Sequence, residues 1–256
     1  MHSGLNVERK PHDARTGRTA KLVNTTNTTV TIPSSHRTTS LTAGILYLLT
    51  FVSIPTLALY GPVKGANYVI GSGPDTGAIF GGVLEIIVAL AGIGTAVVLF
   101  PVLKKQNEGL ALGLVASRIL ESGTIFVGVA FLLSIVTLRK DGTGADALVT
   151  GHALVVLYNR IFLLGQSFMP AVNDLLLGFL LYQSRLVPRG LSRIGLVGAP
   201  VLVAGYIAVL SGLIGQHGGL AGLSAFPVAI FEFSLGVWLV VKGFNPEAVA
   251  ALESKT

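Results

Sequence analysis

Beyond residue 40 the chain alternates long apolar runs with short polar connections. The runs fall at roughly 41–60, 77–103, 110–138, 158–183, 194–215 and 222–241. Each reaches the ~20 residues that a helix rising about 1.5 Å per residue needs to cross about 30 Å of hydrocarbon. In lipid only helices and closed barrels satisfy their own backbone, and these runs lack the polar–apolar alternation of barrel strands. The pattern predicts an all-α fold, a polytopic integral membrane bundle of six transmembrane helices occupying residues 41–243.

Three segments stand apart from the runs. Residues 145–164 are apolar but contain His152, Asn159 and Arg160, and no polar loop separates them from 166–183. They read as an interfacial lead-in or as an extension of the fourth helix. Residues 1–40 are polar, rich in Thr, Ser and Asn, and hold no apolar core for a signal peptide. They are expected to form a disordered cytoplasmic tail, and residues 244–256 a short cytoplasmic C-terminal tail. Asn24-Thr25-Thr26 and Asn27-Thr28-Thr29 match the glycosylation acceptor pattern, which has no meaning on a cytoplasmic tail.

Composition agrees with a life in lipid. Of the 256 residues, 51% are hydrophobic and only 12% charged, against about 25% charged in soluble domains. The absence of cysteine excludes disulfides, thiolate zinc sites and cysteine nucleophiles. Glycine is abundant, at 32, as suits close approach of membrane helices.

The net charge of +6 is distributed as a membrane protein distributes it, and predicts no nucleic-acid partner. With six spans and the N-terminus inside, Arg9, Lys10, Arg15, Arg18, Lys21, Arg37, Lys104, Lys105, Arg185, Arg189, Arg193, Lys242 and Lys255 are cytoplasmic. Only Lys64, Arg139 and Lys140 are outside. The positive-inside rule therefore puts both termini in the cytoplasm. A seventh span would move Arg185, Arg189 and Arg193 outside, against that rule.

Several phrases within the spans resemble a known family. They are Phe100-Pro-Val-Leu-Lys-Lys, Glu108-Gly-Leu-Ala-Leu-Gly running on to Arg118 and Glu121, and Leu181-Tyr-Gln-Ser-Arg-Leu-Val-Pro-Arg189. Pro227-Val-Ala-Ile-Phe-Glu-Phe and Trp238-Leu-Val-Val-Lys-Gly-Phe-Asn245 complete the set. In combination these are similar to a bacterial multi-pass membrane family known as domain of unknown function 4386, over roughly 42–245. The resemblance implies a polytopic architecture in a bacterial inner membrane and carries no established activity.

Chemistry is sought among the ionisable residues inside spans, which are expensive there and normally face the bundle interior in pairs. They are Glu85, Arg118, Glu121, Asp174 and Glu232, with Arg160 near an end. Arg118 and Glu121 are three apart and share a helix face, which Ser117, Ser122 and Thr124 widen. An arginine this far from a span end needs partners, so Arg118 and Glu121 are expected to converge with at least one of Glu85 and Glu232. Pro170 leaves the carbonyl of Gln166 without its helical donor, just before Asn173 and Asp174, and Pro227 does the same to Leu223. Broken helices with polar neighbours are common at membrane binding sites.

Four acids against at most two arginines leave a negative excess that protons, a cation or water must relieve. Two readings follow. One is a small-molecule or ion permease-like protein with buried carboxylates. The other is an accessory or sensory membrane protein in which the same residues form a structural ion-pair network. A lipid-acting membrane enzyme is a third and weaker reading. No catalytic residue, metal site or cofactor is expected. Gly71-Ser-Gly lacks the Gly-Lys-Ser/Thr of a phosphate loop, and there is neither a His-Glu-x-x-His nor a Gly-x-Ser-x-Gly. His152 is expected at the interface and His217 in a solvated loop. Trp238 and Tyr182 are placed as interface anchors, and Gly77/Gly81 and Gly109/Gly113 as small-residue contacts. The partners implied are the lipid bilayer and a small molecule or cation.

Overall fold

The computed structural model describes residues 34–141 and 144–254. Of the tail expected over residues 1–40, residues 1–33, with the two glycosylation patterns, lie outside the described residues. Among those described there is no strand, and six helical stretches are long and apolar enough to cross a membrane. The predicted six-span, all-helical architecture is therefore what the chain adopts.

The first span begins with α1 (Ser34–Leu49), tightens into a 3-10 turn (Thr50–Ser53), and resumes as the short α2 (Thr56–Leu59). The interruption falls at Pro55, which has no N–H to continue the ladder, and Thr56 Oγ1 caps it by donating to the Ser53 carbonyl at 2.6 Å. The remaining spans are α3 (Thr76–Leu103), α4 (Glu108–Asp141), α5 (Ala145–Phe162) with α6 (Met169–Ser184), α7 (Arg189–Leu210) and α8 (Gly219–Val241). A last helix, α9 (Pro246–Glu253), follows.

Three edges differ from the sequence pattern. Helix α1 starts at Ser34, before the expected boundary at residue 40, because its first turns hold α8. Both Arg37 guanidinium nitrogens Nη1 and Nη2 donate to the carbonyls of Leu239 and Val240, at 3.1 and 2.6 Å, satisfying acceptors that a helix end leaves free. The segment beyond 243 contains α9, opened by Asn245, whose side chain accepts from the Glu247 N–H at 3.0 Å. Ala248, Val249 and Leu252 pack into the same core as Leu99, Leu181 and Leu239. The fifth span also begins earlier than its apolar run suggests, at Arg189 directly after Pro188.

The ambiguous stretch 145–164 is the extension of the fourth helix. Residues Ala145–Ser184 form one continuous helical run of 40 residues, joined through a π-turn over Leu163–Phe168. Pro170 explains the turn. It denies Gln166 its α-helical donor, and the ladder re-forms with a wider loop. Gly165 in the turn is pressed so close to α4 that an added Cβ would collide with Thr124 Oγ1.

The spans form a closed ring: α1 packs on α3, α3 on α4, α4 on α5 and α6, α6 on α7, α7 on α8, and α8 back on α1. Helices in lipid gain little from burial alone, so close contact depends on small residues. An added Cβ on Gly44 would sit 2.7 Å from the Gly236 carbonyl oxygen across α1 and α8, and one on Gly195 2.6 Å from Phe231 across α7 and α8. Of the two expected glycine pairs, Gly77 and Gly81 meet Leu59 and Tyr60 closely, whereas Gly113 has only ordinary contact with Leu176.

The connections at 60–75 and 211–218, with Asp141 and Gly144 at the ends of α4 and α5, lie on one side of the ring, face A. Those at 104–107 and 185–188, together with α9, lie on the other, face B. Helix α4 has 34 residues and α5–α6 has 40, about 51 and 60 Å at helical rise, well beyond about 30 Å of hydrocarbon. The excess rises above face A. There Tyr60, Val63, Tyr68 and Val69 of the α2–α3 connection pack with Leu132, Ile135, Val136 and Ala147 as a second core. Arg160 is exposed and 13 residues from Asn173, about 20 Å along the helix. That places it beyond the ~15 Å half-thickness of the hydrocarbon.

Candidate functional site

Arg118 is 3% exposed at the centre of the ring. Its Nη1 donates to Glu121 Oε2 one turn along α4 at 3.0 Å, and its Nη2 donates to Glu232 Oε1 of α8 at 2.5 Å. Nη2 also reaches the Tyr47 hydroxyl of α1 at 3.4 Å, with the guanidinium carbon 5.4 Å from that ring's centroid. From α6, Asn173 Nδ2 donates to Glu121 Oε2 at 2.8 Å, while its Oδ1 accepts from Ser117 Oγ at 2.6 Å. Four spans therefore meet in one network around this guanidinium. The expected convergence occurs, with Glu232 as the cross-helix partner.

Asp174 is fully buried beside this network, close enough to interact electrostatically with Arg118, Glu121 and Glu232. Neither carboxyl oxygen of Asp174 has a hydrogen-bond partner among the described residues, and Arg118 Nε has none either. Three carboxyls thus surround one guanidinium, and a low-dielectric interior resists such an excess.

Glu85 belongs elsewhere. It lies on α3, 1% exposed, and accepts from the Tyr158 hydroxyl at 3.5 Å and from Gln166 Nε2 at 3.4 Å. Tyr60 and Lys64 complete its surroundings. Lys64 stands 4.8 Å over the Tyr158 ring, and burial pulls its ammonium below the usual lysine range while Glu85 partly restores it. The five sequence candidates therefore divide into a cluster of four and a separate acid.

A cavity of about 700 Å³ fills the ring. All six spans line it. Its deep end is formed by Arg118, Glu121 and Glu232, and its mouth on face A by Lys64, Gln216 and His217. Burial, with Lys64 nearby, pulls His217 below the usual histidine range, which favours its neutral form at the mouth. His217 is exposed in its loop, as expected, and it also lines the cavity mouth. Phe51, Phe162 and Val88 give the walls an apolar character, and Gln166 and Pro170 bring the π-turn to the lining. The interrupted helix thus reaches the cavity, as broken helices commonly do at membrane sites.

Sequence reasoning had no signal for Tyr47, Tyr60, Tyr158 or Lys64. A tyrosine in an apolar run reads as a wall residue, and only the opposing helix reveals what its hydroxyl faces. No group of three or more His, Asp or Glu side chains is placed to hold a metal ion among the described residues.

No curated protein and no solved structure matches the chain. Residues 42–243 match a family described only as a domain of unknown function, a region that contains all six spans but for the first turns of α1. Those are the residues that build the ring, the Arg118 cluster and the cavity, and on that match the chain, with its six spans, belongs to the DUF4386 family.

Proposed function

We propose that the protein is permease-like, taking a small solute that carries a positive charge from face A to the acid-rich centre of the ring, with proton movement on the buried carboxyls. One observation carries this reading: the cavity descends from face A to Arg118, Glu121 and Glu232, with Asp174 behind them. Its volume lies in the range of small-molecule pockets, about 300–1,000 Å³. With three carboxyls to one guanidinium, the charge that is missing is positive. A bound cation or a proton supplies it, which makes the two natural competitors at the site. The mixed lining suits a solute with one charged end and an apolar body.

Transport in proteoliposomes under an imposed proton gradient tests the reading. Flux of a small organic amine that is lost in Glu232→Gln and Asp174→Asn, with folding retained, supports it. Wild-type protein that neither binds nor moves any member of an amine panel, and shows no proton flux, overturns it. A second reading has its own support. Arg118 is held by two carboxylates and a tyrosine, and Asn173 braces one of them, as a structural brace in an accessory or sensory membrane protein would be. In that case the same variants change melting temperature and nothing else.

We also propose that face B is cytoplasmic, in a bacterial inner membrane, on the basis of the basic residues concentrated there. The chain has no cysteine, and a side chain added at Gly190 or Gly215 meets nothing within 4 Å. Gly215→Cys is therefore expected to react with an impermeant thiol reagent on intact cells and Gly190→Cys only after lysis. The reverse pattern inverts the orientation.

A further inference from the structure

Face B carries a second cavity, of about 540 Å³, that shares no lining residue with the first. It lies where the α6–α7 connection meets the segment joining α8 to α9, and the Asn245 N–H donating to the Leu186 carbonyl at 2.9 Å ties the two together. Three cations line it: Arg185, Arg189 and Lys242. No acid lines it, and among the described residues none of the three cations has an ion-pair partner.

The backbone departs from the ordinary to achieve this. Arg185 caps α6 in the left-handed region, at φ 58° and ψ 23°. Helices usually place glycine there because a Cβ is strained in that conformation. Here the position holds an exposed cation, and the αL turn carries the chain straight into the groove wall at Leu186 and Val187. The N-terminus of the 22-residue α7 begins in the same groove at Pro188 and Arg189. Its free N–H groups add a partial positive charge to the three full ones.

Depth identifies the ligand. Lys242 is ten residues beyond Glu232 on α8, about 15 Å along the axis, which is the edge of a hydrocarbon layer centred near that cluster. Trp238 lines the groove just inside this edge, where indole rings collect at membrane boundaries. A soluble phosphate has no use for Trp238, whereas a lipid presents a phosphate and a glycerol–acyl junction together at this depth.

We propose that this groove binds the phosphate of an anionic phospholipid from the leaflet at face B, with Arg185, Arg189 and Lys242 on the phosphate and Trp238 against the acyl junction. The assignment is independent of what the central cavity carries.

The test uses the full chain in a neutral detergent, with lipid binding read by native mass spectrometry and melting temperature read in parallel. Phosphatidylglycerol is expected to bind more tightly than phosphatidylcholine and to raise the melting temperature further. Arg189→Gln/Lys242→Gln should weaken phosphatidylglycerol binding by about fivefold for each charge removed. Lys104→Gln/Lys105→Gln, which removes two charges from the same face but outside the groove, should leave it unchanged. Equal losses in the two double variants would reduce the effect to general surface charge and overturn the site. Inorganic phosphate at matched ionic strength, if it reproduced the thermal shift and displaced the lipid, would overturn the lipid assignment in favour of a soluble phosphate. Arg189, Lys242 and Lys104 are exposed, and Lys105 is half-buried with only a 3.9 Å pairing to Glu253, so both variants should fold. A melting temperature without lipid equal to the parent's confirms that the comparison is sound.

Discussion

Helix α4 carries two arginines, 21 positions and about 31 Å apart, each set against a carboxylate and a tyrosine. At its face A end, Arg139 is bound through Nε to Asp75 Oδ1 at 2.8 Å and through Nη2 to the other oxygen, a two-point pairing that suits guanidinium and carboxylate. Tyr68 donates to the same Asp75 at 2.5 Å, and the Arg139 guanidinium carbon lies 5.5 Å from its ring centroid. Lys140 adds a further cation at 3.7 Å. In mid-ring, Arg118 meets Tyr47 in nearly the same way but faces three acids. The parts are alike and the consequences differ. The outer cluster has no shortage of positive charge, with Lys140 exposed beside it, and fastens the 60–75 connection to α4. The inner one has a negative excess, with no second cation paired to it among the described residues. The same chemistry is a clasp at the rim and an unmet demand for a cation at the centre.

The strongest way to break this contrast is to remove each arginine. Arg118→Ala should leave buried acids uncompensated and cost about 3–5 kcal/mol, visible as a large drop in denaturation midpoint in detergent. Arg139→Ala should cost less, because Lys140 stays 3.7 Å from Asp75 to compensate its charge. An Arg118→Ala protein as stable as its parent would remove the distinction between the two clusters.

A smaller effect sharpens the claim of negative excess. Asp174→Asn keeps the size of the side chain, breaks no hydrogen bond among the described residues and removes one like charge. It should leave the denaturation midpoint within about 1 kcal/mol of the parent while abolishing amine or proton flux. A collapse in stability comparable to that of Arg118→Ala would mean that the Asp174 charge is needed by the fold.

The mildest expected change is one of pH. The hydrogen bonds from Arg139 and then Tyr68 hold the Asp75 carboxyl below the usual carboxylate range. A carboxyl with a depressed folded-state pKa stabilises the fold above its unfolded pKa, about 3.9, and that contribution fades as the pH falls through the folded value. Protection factors over residues 60–75, corrected for the intrinsic pH dependence of amide exchange, should fall on acidification below about pH 4, with the effect absent in Asp75→Asn. Amides near Arg118 should not follow the same curve.

A deletion separates the tail from the helix it leads into. Removing residues 1–33 should leave the melting temperature unchanged, whereas Arg37→Ala should lower it, because Arg37 satisfies the last carbonyls of α8. Equal effects of the two changes would contradict the placement of the boundary within α1.

Particular residues show how far the sequence could be read. Arg118 and Glu121 were legible as a pair because three positions along a helix fix a shared face without reference to any other segment. Pro170 was legible as a break, since a missing N–H acts on its own helix, although the π-turn that answers it also depends on Gly165 lying against Thr124. The charge of Glu85 and Glu232 was legible, and their destinations were not. Both lie inside apolar runs of different spans, and only the tertiary structure sends one to Arg118 and the other toward face A, to Tyr158 and Gln166. The edges at Ser34 and Pro246 were invisible for a similar reason. Polar residues there become ordered through contacts with α8 and the core that no local pattern records.

The sequence by itself determined the class of the protein, the number of its spans and the cost of its buried charges. Those follow from the length of apolar runs and the dielectric of lipid, which act on each segment alone. The tertiary structure decided the closing of the ring, the cavity inside it, and the gathering of three acids around one arginine. These depend on which helix faces are opposed, and small residues such as Gly44, Gly165 and Gly195 set that choice by letting one pairing approach more closely than any other.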